Sequence, residues 1–252
     1  MKLNFIKKII EIELSHTFDV QCAIVHFDKS IYKPAEFYTH SVSLPKTIKN
    51  SVYNRQAEFL AGRLAAKTSL RRLGFNSFTV HVGEQRQPIW PKGIYGSITH
   101  IEDKAICVAG SNVYIGIDLE SWISFDTMLQ IRDQIVISKE LVLHKKYGIK
   151  ESRLFTLIFS AKESIFKALF EQVGYYFDFK AVELIDISLD KELLTFKLKT
   201  NLGKYLTIGK LLQCQFKFYA DCVLTIIIEY KKNKVSFNSL EKKLYLPGML
   251  SN

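Results

Sequence analysis

The sequence predicts an α/β (α+β) protein built from two packed subdomains, because the order strand, long helix, strands occurs once in each half. In the first half, residues 54–73 keep small and apolar side chains at helical spacing, and Gly74 follows as a stop signal. In the second half, a helical pattern at 153–172 is followed by strand-like runs. No stretch rich in Pro, Gly or Ser separates the halves, which favours packed subdomains over units on a flexible linker.

The other elements follow from hydrophobic period and turn residues along the chain. In the first half we predict strands at 20–26, 78–82 and 105–109, a loop at 83–93 and a turn of small residues at 96–100. In the second half we predict an acidic strand ending at Glu120, a helix at 125–147 and strands at 181–187, 193–199, 215–219 and 223–230.

Composition and charge indicate a globular protein with an anionic partner. Of the 252 residues, 48% are hydrophobic and 24% are charged, and the formal net charge is +10. Such a charge suits nucleic acid, a phosphorylated small molecule, an acidic protein or an anionic membrane. The basic residues are dispersed and form no nucleic-acid recognition motif, so we expect no nucleic-acid partner.

The cysteines and the apolar segments predict a cytoplasmic protein. Cys22, Cys107, Cys214 and Cys222 include no CxxC pair, which favours buried thiols in a reducing compartment over disulfides or a zinc site. Charged residues interrupt the apolar opening segment, and the longest apolar stretch, near 223–228, is too short to span a bilayer. We therefore expect neither secretion nor stable membrane insertion.

The acidic strand carries two carboxylates on one face. Apolar residues alternate with Asp118 and Glu120, which places these two side chains about 6.6 Å apart at a rise of ~3.3 Å per residue. Two acids on one face repel each other unless a cation lies between them, and Mg²⁺ prefers oxygen ligands of this kind. The alternative is a solvated strand face at a sheet edge.

The segment 159–170 predicts a packed helix, with Ser160 at its start. Glu163 and Lys167 are four residues apart and share a face, while Lys162 is rotated from Glu163 by roughly 100°. A carboxylate and two ammonium groups beside an apolar wall suit a site that holds a metal and a phosphate, with Glu163 as a third acid. Taken alone, the pattern is also that of an ordinary ion pair between neighbouring helical turns.

Several basic residues are candidates for binding phosphate. Arg55 and Arg63 lie on the first long helix and Arg86 lies in the loop, and arginine presents a permanently charged planar fork. The alternative for Arg55 is a surface ion pair with Glu58, three residues on. His100 ends the turn of small residues, where a backbone can approach a ligand, or it is an ordinary structural histidine.

Five segments between residues 54 and 168 share their order and spacing with one known family. They are Asn54-Arg55-x-x-Glu58-Phe59-x-x-x-Arg63-x-x-Ala66, Arg86-x-Pro88-x-Trp90-Pro91, Gly96-Ser97-Ile98-Thr99-His100, Gly116-Ile117-Asp118-Leu119-Glu120 and Phe159-Ser160-Ala161-Lys162-Glu163-x-x-x-Lys167-Ala168. With these segments the chain resembles the phosphopantetheinyl transferases, of the surfactin-type superfamily and its enterobactin synthase component D branch. The resemblance covers a little under half of the chain.

The resemblance implies both a fold and a reaction. The fold is a pseudo-twofold pair of similar subdomains, 1–117 and 118–252, each a mainly antiparallel sheet packed on a long helix, with the active site in the cleft between them. The reaction is the Mg²⁺-dependent transfer of 4′-phosphopantetheine from coenzyme A (CoA) to a serine hydroxyl of an apo carrier protein, releasing adenosine 3′,5′-bisphosphate. We expect that Mn²⁺ can replace Mg²⁺. We also expect the protein to be a monomer.

The resemblance also implies roles for individual residues. The metal ligands are Asp118, Glu120 and Glu163. The catalytic groups are Glu163 as the general base for the serine, Lys167 on the leaving bisphosphate, and His100. The residues that bind CoA through its nucleotide and phosphates are Arg55, Arg63, Arg86, Gln87, Pro88, Thr99, His100, Asp118, Lys162 and Lys167.

The carrier is expected to be an acidic peptidyl or aryl carrier of non-ribosomal peptide or siderophore synthesis, in preference to an acyl carrier. A basic enzyme attracts an acidic carrier through long-range electrostatic steering. There are three alternatives to this transferase function: another Mg²⁺-dependent nucleotide phosphotransferase, a basic nucleic-acid-binding protein and a catalytically silent CoA-binding homologue. The absence of a P-loop or kinase motif disfavours the first, and the presence of all three acids with Lys167 disfavours the last.

Overall fold

The computed structural model describes residues 4–15 and 19–231. They fall into two compact units: the described residues up to Val113 together with Tyr230 and Lys231, and the segment Tyr114–Glu229. The end of the last strand thus belongs to the first unit, while the rest of that strand belongs to the second. Local sequence patterns do not reveal this assignment. The functional division predicted at 1–117 and 118–252 stays a prediction, and residues 232–252 lie outside the described part.

The first unit contains a four-stranded antiparallel sheet in the order β1-β2-β6-β5. Its strands are β1 (Ile6–Ser15), β2 (Val20–Phe27), β5 (Ile94–Ile101) and β6 (Lys104–Ser111), and a small hairpin consists of β3 (His81–Val82) and β4 (Pro88–Ile89). Its helices are α1 (Glu36–Thr39), α2 (Lys46–Lys49) and α3 (Tyr53–Arg72). The long helix predicted at 54–73 is therefore confirmed as α3.

Helix α3 lies on the sheet because its inner face is small and apolar. Ala57, Ala61 and Ala65 are fully buried with Leu60 in a core shared with β2 and β6. Alanines allow the helix backbone to approach the sheet closely, while the burial of Leu60 supplies apolar area, worth ~25 cal/mol per Å² removed from water. Aromatic residues of the segment before α3, including Tyr32 and Phe37, belong to the same core.

The second unit repeats the combination of a sheet and a long helix. Its sheet has the order β7-β11-β10-β9-β8, in which β8, β9, β10 and β11 form successive antiparallel pairs. The strands are β7 (Val113–Ser121), β8 (Val182–Ser188), β9 (Leu193–Leu198), β10 (Leu211–Phe218) and β11 (Cys222–Tyr230). The helices are α4 (Phe125–Ile135), α5 (Ser138–Tyr147) and α6 (Glu151–Val173), and α6 packs against β10, α4 and α5.

The predicted fold class, two similar halves with antiparallel sheets and a long helix each, is confirmed. The position of the active site in a cleft stays a prediction. No helix among residues 4–15 and 19–231 is long and apolar enough to cross a bilayer.

Three local predictions were wrong, and one strand was missed. The helix predicted at 125–147 is two helices, because Val136 is extended (φ −117°, ψ 155°) and ends α4. The turn predicted at 96–100 lies within β5, whose Gly96 and Thr99 pair with Ala109 and Ile106 of β6. Strand β1 was not predicted, because charged residues on its exposed face interrupt the apolar pattern. The strand predicted at 78–82 is only His81–Val82.

Candidate active site

A glycine brings the acidic strand and the long helix of the second unit together. A Cβ atom on Gly116 of β7 would lie 1.7 Å from the carbonyl oxygen of Ser164 on α6 and 2.9 Å from the amide nitrogen of Ala168. Only glycine permits this approach of two backbones. The approach sets the distance between the carboxylates of β7 and the charged residues of α6.

Hydroxyl groups fix the same helix to the neighbouring strand. Thr225 of β11 shares hydrogen bonds with Ser160 (2.9 Å) and Ser164 (2.8 Å), and Ser164 also donates to the carbonyl oxygen of Thr225 (3.1 Å). All three side chains are fully buried. Ser160 is therefore an interior residue of α6, which begins at Glu151, and the prediction that it opens the helix was wrong.

Lys167 forms the central contact of this site. Its Nζ lies 2.6 Å from Oδ1 of Asp118 and donates to the carbonyl oxygen of Ile117 at 3.2 Å. The Asp118 side chain is 5% exposed and that of Lys167 is 27% exposed, so the ion pair is largely withdrawn from solvent. A charge-assisted hydrogen bond of this length is a strong one. Asp118 and Lys167, which the resemblance assigns to one site, thus lie in direct contact.

The four ionisable groups influence one another's protonation. Burial raises the pKa of Glu120 to about 7, helped by the charge of Asp118, while Lys167 acts in the opposite direction. Burial also raises the pKa of Glu163, against the lowering effect of Lys167. Burial opposes the charged form of Lys167, but Asp118 and Glu163 outweigh it and raise the pKa of the ammonium group. Three carboxylates therefore share one cationic side chain.

The chemistry of this group fits a hard divalent cation. Carboxylate oxygens are the ligands that Mg²⁺ prefers, and two acids with raised pKa values beside a third are stabilised by added positive charge. Leu119, between the two strand acids, offers no ligand. Among the residues that the structure describes, no three His, Cys, Asp or Glu side chains are already arranged as a metal-binding cluster. Metal binding by Asp118, Glu120 and Glu163 accordingly belongs to the proposal below.

The position of Lys162 does not agree with its predicted contact with a phosphate of CoA. Its Nζ forms a 2.9 Å ion pair with Oε2 of Glu140, and neither side chain is exposed to solvent. The same ammonium group donates to the carbonyl oxygen of Ile135 at the end of α4 (2.9 Å). Burial lowers the pKa of Lys162, and the charge of Glu140 acts against this. A lysine enclosed in this way is not accessible to a ligand.

Glu140 is a buried structural carboxylate that sequence reasoning missed. Its carboxylate accepts hydrogen bonds from the backbone amides of Ile137 at the start of α5 (2.8 Å) and Leu184 in β8 (2.7 Å), besides its pair with Lys162. One buried carboxylate thus joins α5, α6 and β8. No sequence signal pointed to this role, because a single helix was predicted over 125–147 and the start of α5 was not recognised.

In the first unit, the structure brings Arg55 and His100 together. The guanidinium of Arg55 donates to Nε2 of His100 at 3.0 Å. Because arginine has no acceptor, Nε2 must accept, and the proton of a neutral ring lies on Nδ1. Nδ1 faces Oε2 of Glu58 at 3.8 Å, and Glu58 is held by Lys29 at 2.7 Å. The Arg55–Glu58 ion pair, the alternative to phosphate binding by Arg55, is present but long, at 3.9 Å.

The remaining predicted residues of this unit lie at two other places. Arg86, Gln87 and Pro88 belong to the β3–β4 hairpin, where Arg86 has a left-handed backbone (φ 66°) and the Gln87 side chain accepts from the amide of Gln85 (3.0 Å). Thr99 is buried beside His100 on β5. Arg63 lies two helical turns beyond Arg55 on α3. Their predicted roles stay predictions.

Each of the two units contains a segment that matches a model of a known protein family. Residues 44–110 match the family model described as the 4′-phosphopantetheinyl transferase N-terminal domain, and residues 114–224 match that of the 4′-phosphopantetheinyl transferase superfamily. Together the two matches include more than two thirds of the chain. The protein belongs to the 4′-phosphopantetheinyl transferase superfamily.

Individual relatives extend the comparison. The chain is 35% identical over 153 residues to enterobactin synthase component D of Salmonella typhi, an alignment that covers 60% of this chain and 62% of the relative. It is 43% identical over 114 residues to enterobactin synthase component D of Escherichia coli (strain K12), which covers 45% and 54%. It is 29% identical over 140 residues to 4′-phosphopantetheinyl transferase Svp of Streptomyces mobaraensis, which covers 54% and 57%. The alignments thus span between about half and three fifths of these relatives.

Proposed function

We propose that this protein transfers the 4′-phosphopantetheine group of CoA to a serine hydroxyl of an apo carrier protein and releases adenosine 3′,5′-bisphosphate. The observation that carries the proposal is the buried group on β7 and α6, in which Asp118, Glu120 and Glu163 share the charge of Lys167. Membership of the superfamily supports the reaction class, and the names of the relatives support a role in siderophore synthesis.

Glu163 is the general base of the proposed reaction. A serine hydroxyl is a weak nucleophile until a nearby group takes its proton. Without a bound metal, burial raises the pKa of Glu163, so that its carboxylate takes up a proton more readily than an exposed glutamate does. As the serine oxygen bonds to the phosphorus of phosphopantetheine, the bond from that phosphorus to the bridging oxygen of the pyrophosphate breaks, and the serine proton passes to Glu163.

Lys167 stabilises the charge that develops on the leaving bisphosphate. The raised pKa keeps its side chain protonated, and its contact with Asp118 fixes the position of the ammonium group. Phosphoryl transfer depends mainly on positioning and on neutralising charge in this way. Mg²⁺ held by Asp118, Glu120 and Glu163 would supply further neutralisation of the pyrophosphate, and Mn²⁺ could replace it.

The first unit supplies the residues proposed to bind the nucleotide end of CoA. Arg55 and His100 already form one polar group, and the partly exposed guanidinium of Arg55 can exchange its bond to Nε2 for a phosphate oxygen. Displacing Arg55 frees Nε2 of His100, which donates to the same anion when it carries a proton. Arg86, Gln87 and Pro88 of the hairpin, with Thr99, complete the proposed contacts.

The proposed partner is an acidic peptidyl or aryl carrier protein. Net charge of +10 favours such a partner through long-range attraction. Carriers of fatty-acid synthesis are the second choice, since the relatives are named for a siderophore synthase.

Intact-mass spectrometry of an apo peptidyl carrier incubated with the protein, CoA and Mg²⁺ tests the proposal. We expect the carrier to gain about 340 Da, the mass of one phosphopantetheine group on a side chain. The gain should vanish with EDTA and with a carrier whose serine is replaced by alanine. Unchanged masses of peptidyl, aryl and acyl carriers, with CoA binding intact, would instead identify a silent CoA-binding homologue.

A further inference from the structure

Three buried hydroxyl groups join α6 to β11 within the second unit. Ser160 and Ser164 lie one helical turn apart on α6, and both contact Oγ1 of Thr225 in β11, at 2.9 Å and 2.8 Å. Ser164 also donates to the backbone carbonyl of Thr225 at 3.1 Å. All three side chains are fully buried. Apolar side chains of similar size would fill the same space, so the hydroxyl groups need an explanation other than the burial of area.

The protons of these hydroxyl groups have one assignment that satisfies every contact. Because Ser164 donates its proton to the carbonyl oxygen, its Oγ must accept from Thr225. Thr225 has then used its own proton, and its Oγ1 accepts from Ser160. Cys214 of β10 also lies beside Thr225, but a thiol is a weak acceptor and competes poorly for the threonine proton. The result is a directed hydroxyl chain that runs from Ser160 through Thr225 to Ser164.

The hydroxyl chain restricts a motion that apolar packing permits. The hydrophobic effect has no preferred direction, whereas a hydrogen bond weakens steeply when its angle departs from linearity. The chain holds two successive turns of α6 to one residue of β11. Because of this, a rotation of α6 about its axis, or a shift along that axis, would break at least one of the three bonds.

The rotation of α6 decides where Glu163 and Lys167 point. Glu163 directly precedes Ser164 and Lys167 follows it by three residues, so all three side chains turn together. Side chains reach ~5–6 Å from a helix axis, so a rotation of about 10° displaces their ends by about 1 Å. A displacement of that size along the contact lengthens the 2.6 Å bond between Lys167 and Asp118 beyond hydrogen-bond range.

We propose that Ser160, Ser164 and Thr225 are positioning residues of the transfer reaction, an inference that rests on the proposed function. They fix the rotation of α6 and thereby hold Glu163 at the serine proton and Lys167 at the leaving group. The hydroxyl groups bond to one another and to a backbone carbonyl, so they act on the reaction only through the helix. Gly116 sets how near α6 lies to β7, and the hydroxyl chain sets how α6 is turned.

Two substitutions of Thr225 separate positioning from stability. Thr225→Val keeps the shape of the side chain but removes the hydroxyl group, whereas Thr225→Ser keeps the hydroxyl group and removes a buried methyl group. Both should lower the melting temperature by about 2–6 °C, the first through unpaired hydroxyl groups and the second through a small cavity. With CoA and carrier saturating, we expect Thr225→Val to lose about 10- to 100-fold in kcat and Thr225→Ser to match the wild type. A wild-type kcat for Thr225→Val would overturn the proposal.

A triple variant, Ser160→Ala with Ser164→Ala and Thr225→Val, removes the whole hydroxyl chain. No hydroxyl group is then left unpaired, so the melting temperature should return towards that of the wild type. A purely structural role predicts that kcat returns with it, whereas positioning predicts a kcat that stays about 10-fold or more below the wild-type value. Ile187→Val is the control, a loss of one buried methyl group in β8 at the opposite edge of the sheet from β7. It should lower the melting temperature without changing kcat.

Crystal structures of the wild type and the triple variant provide a readout that does not depend on activity. We expect the distance between Nζ of Lys167 and Oδ1 of Asp118, 2.6 Å in the wild type, to exceed about 3.5 Å in the triple variant. An unchanged contact with α6 unrotated would overturn the proposal, whether or not the chain is a transferase. Absence of carrier modification by the wild type would instead contradict the proposed function, and this distance would then decide the role of the hydroxyl chain.

Should Thr225→Val not fold, Ser160→Ala supplies the same kinetic test. It removes the first donor of the chain and leaves no unpaired hydroxyl proton behind, so the protein should remain folded. We expect a lower kcat than in the wild type, and a wild-type kcat in both Ser160→Ala and the triple variant would count against positioning.

Discussion

Replacing Gly116 with alanine puts a methyl group where the structure has the backbone of α6. The new Cβ would lie 1.7 Å from the carbonyl oxygen of Ser164, 2.7 Å from its carbonyl carbon and 2.9 Å from the amide of Ala168. Because all three are main-chain atoms of a buried helix, no side-chain rotation relieves the overlap. Strand β7 and α6 must separate by about 1.5 Å or more to restore ordinary van der Waals distances.

This separation affects both stability and activity. Overpacking a core lowers the free energy of unfolding by ~1–3 kcal/mol. Because the new methyl group would meet rigid main-chain atoms, we expect a loss near ~3 kcal/mol for this substitution. Glu163 and Lys167 move with α6, so the 2.6 Å contact between Lys167 and Asp118 is broken. A misplacement of about 1 Å at a reacting centre costs on the order of 100-fold in rate. We therefore expect Gly116→Ala to lose about 3 kcal/mol in the free energy of unfolding and about 100-fold in kcat.

Urea unfolding followed by tryptophan fluorescence measures the first quantity, and carrier modification followed by mass spectrometry measures the second. Gly203→Ala is the matched control in the same unit, since a Cβ there meets no atom within 4 Å. It should be neutral or stabilising by up to about 1 kcal/mol. Wild-type stability and rate in Gly116→Ala would refute the argument that this glycine sets the position of α6.

Two further predictions concern the buried ion pair and the net charge. Glu140→Gln leaves the Lys162 ammonium buried without its counter-charge and should cost about 3–5 kcal/mol in urea unfolding. Glu140→Gln combined with Lys162→Met should recover part of that loss, because the unpaired charge is gone and the side-chain oxygen of the glutamine can still accept from a backbone amide. Equal stability of the single and double variants would contradict this account of the pair. Raising the salt concentration should increase the KM for the carrier far more than the KM for CoA, because steering by a net charge of +10 is screened. An equal effect of salt on both constants would exclude steering.

The sequence predicted the long elements and the chemistry of the candidate site for a physical reason. Helices α3 and α6 repeat apolar residues over five or more turns, and the alternation in β7 places Asp118 and Glu120 on one face. Glu163 and Lys167 are only four residues apart, so the sequence alone predicts that they share a face of the helix.

Contacts between distant segments could not be predicted in the same way. Lys162 resembles any charged residue of an amphipathic helix, and only the folded chain shows that Glu140, from another helix, encloses it. The break at Val136 has the same origin, because the carbonyl of Ile135 is bound by Lys162 rather than by the next helical turn. Gly116 did carry a usable signal, since a glycine inside a strand often marks a close backbone approach.

The account rests on Glu163 as the group that removes the serine proton. The most direct test compares the single-turnover rate of carrier modification in wild type and Glu163→Gln, with the Kd for CoA measured in parallel. Glu171→Gln, an exposed carboxylate on the same helix, is the control. With CoA at a concentration that saturates each variant, we expect Glu163→Gln to lose at least about 100-fold in rate and Glu171→Gln to match the wild type. Transfer by Glu163→Gln at the wild-type rate would contradict the account.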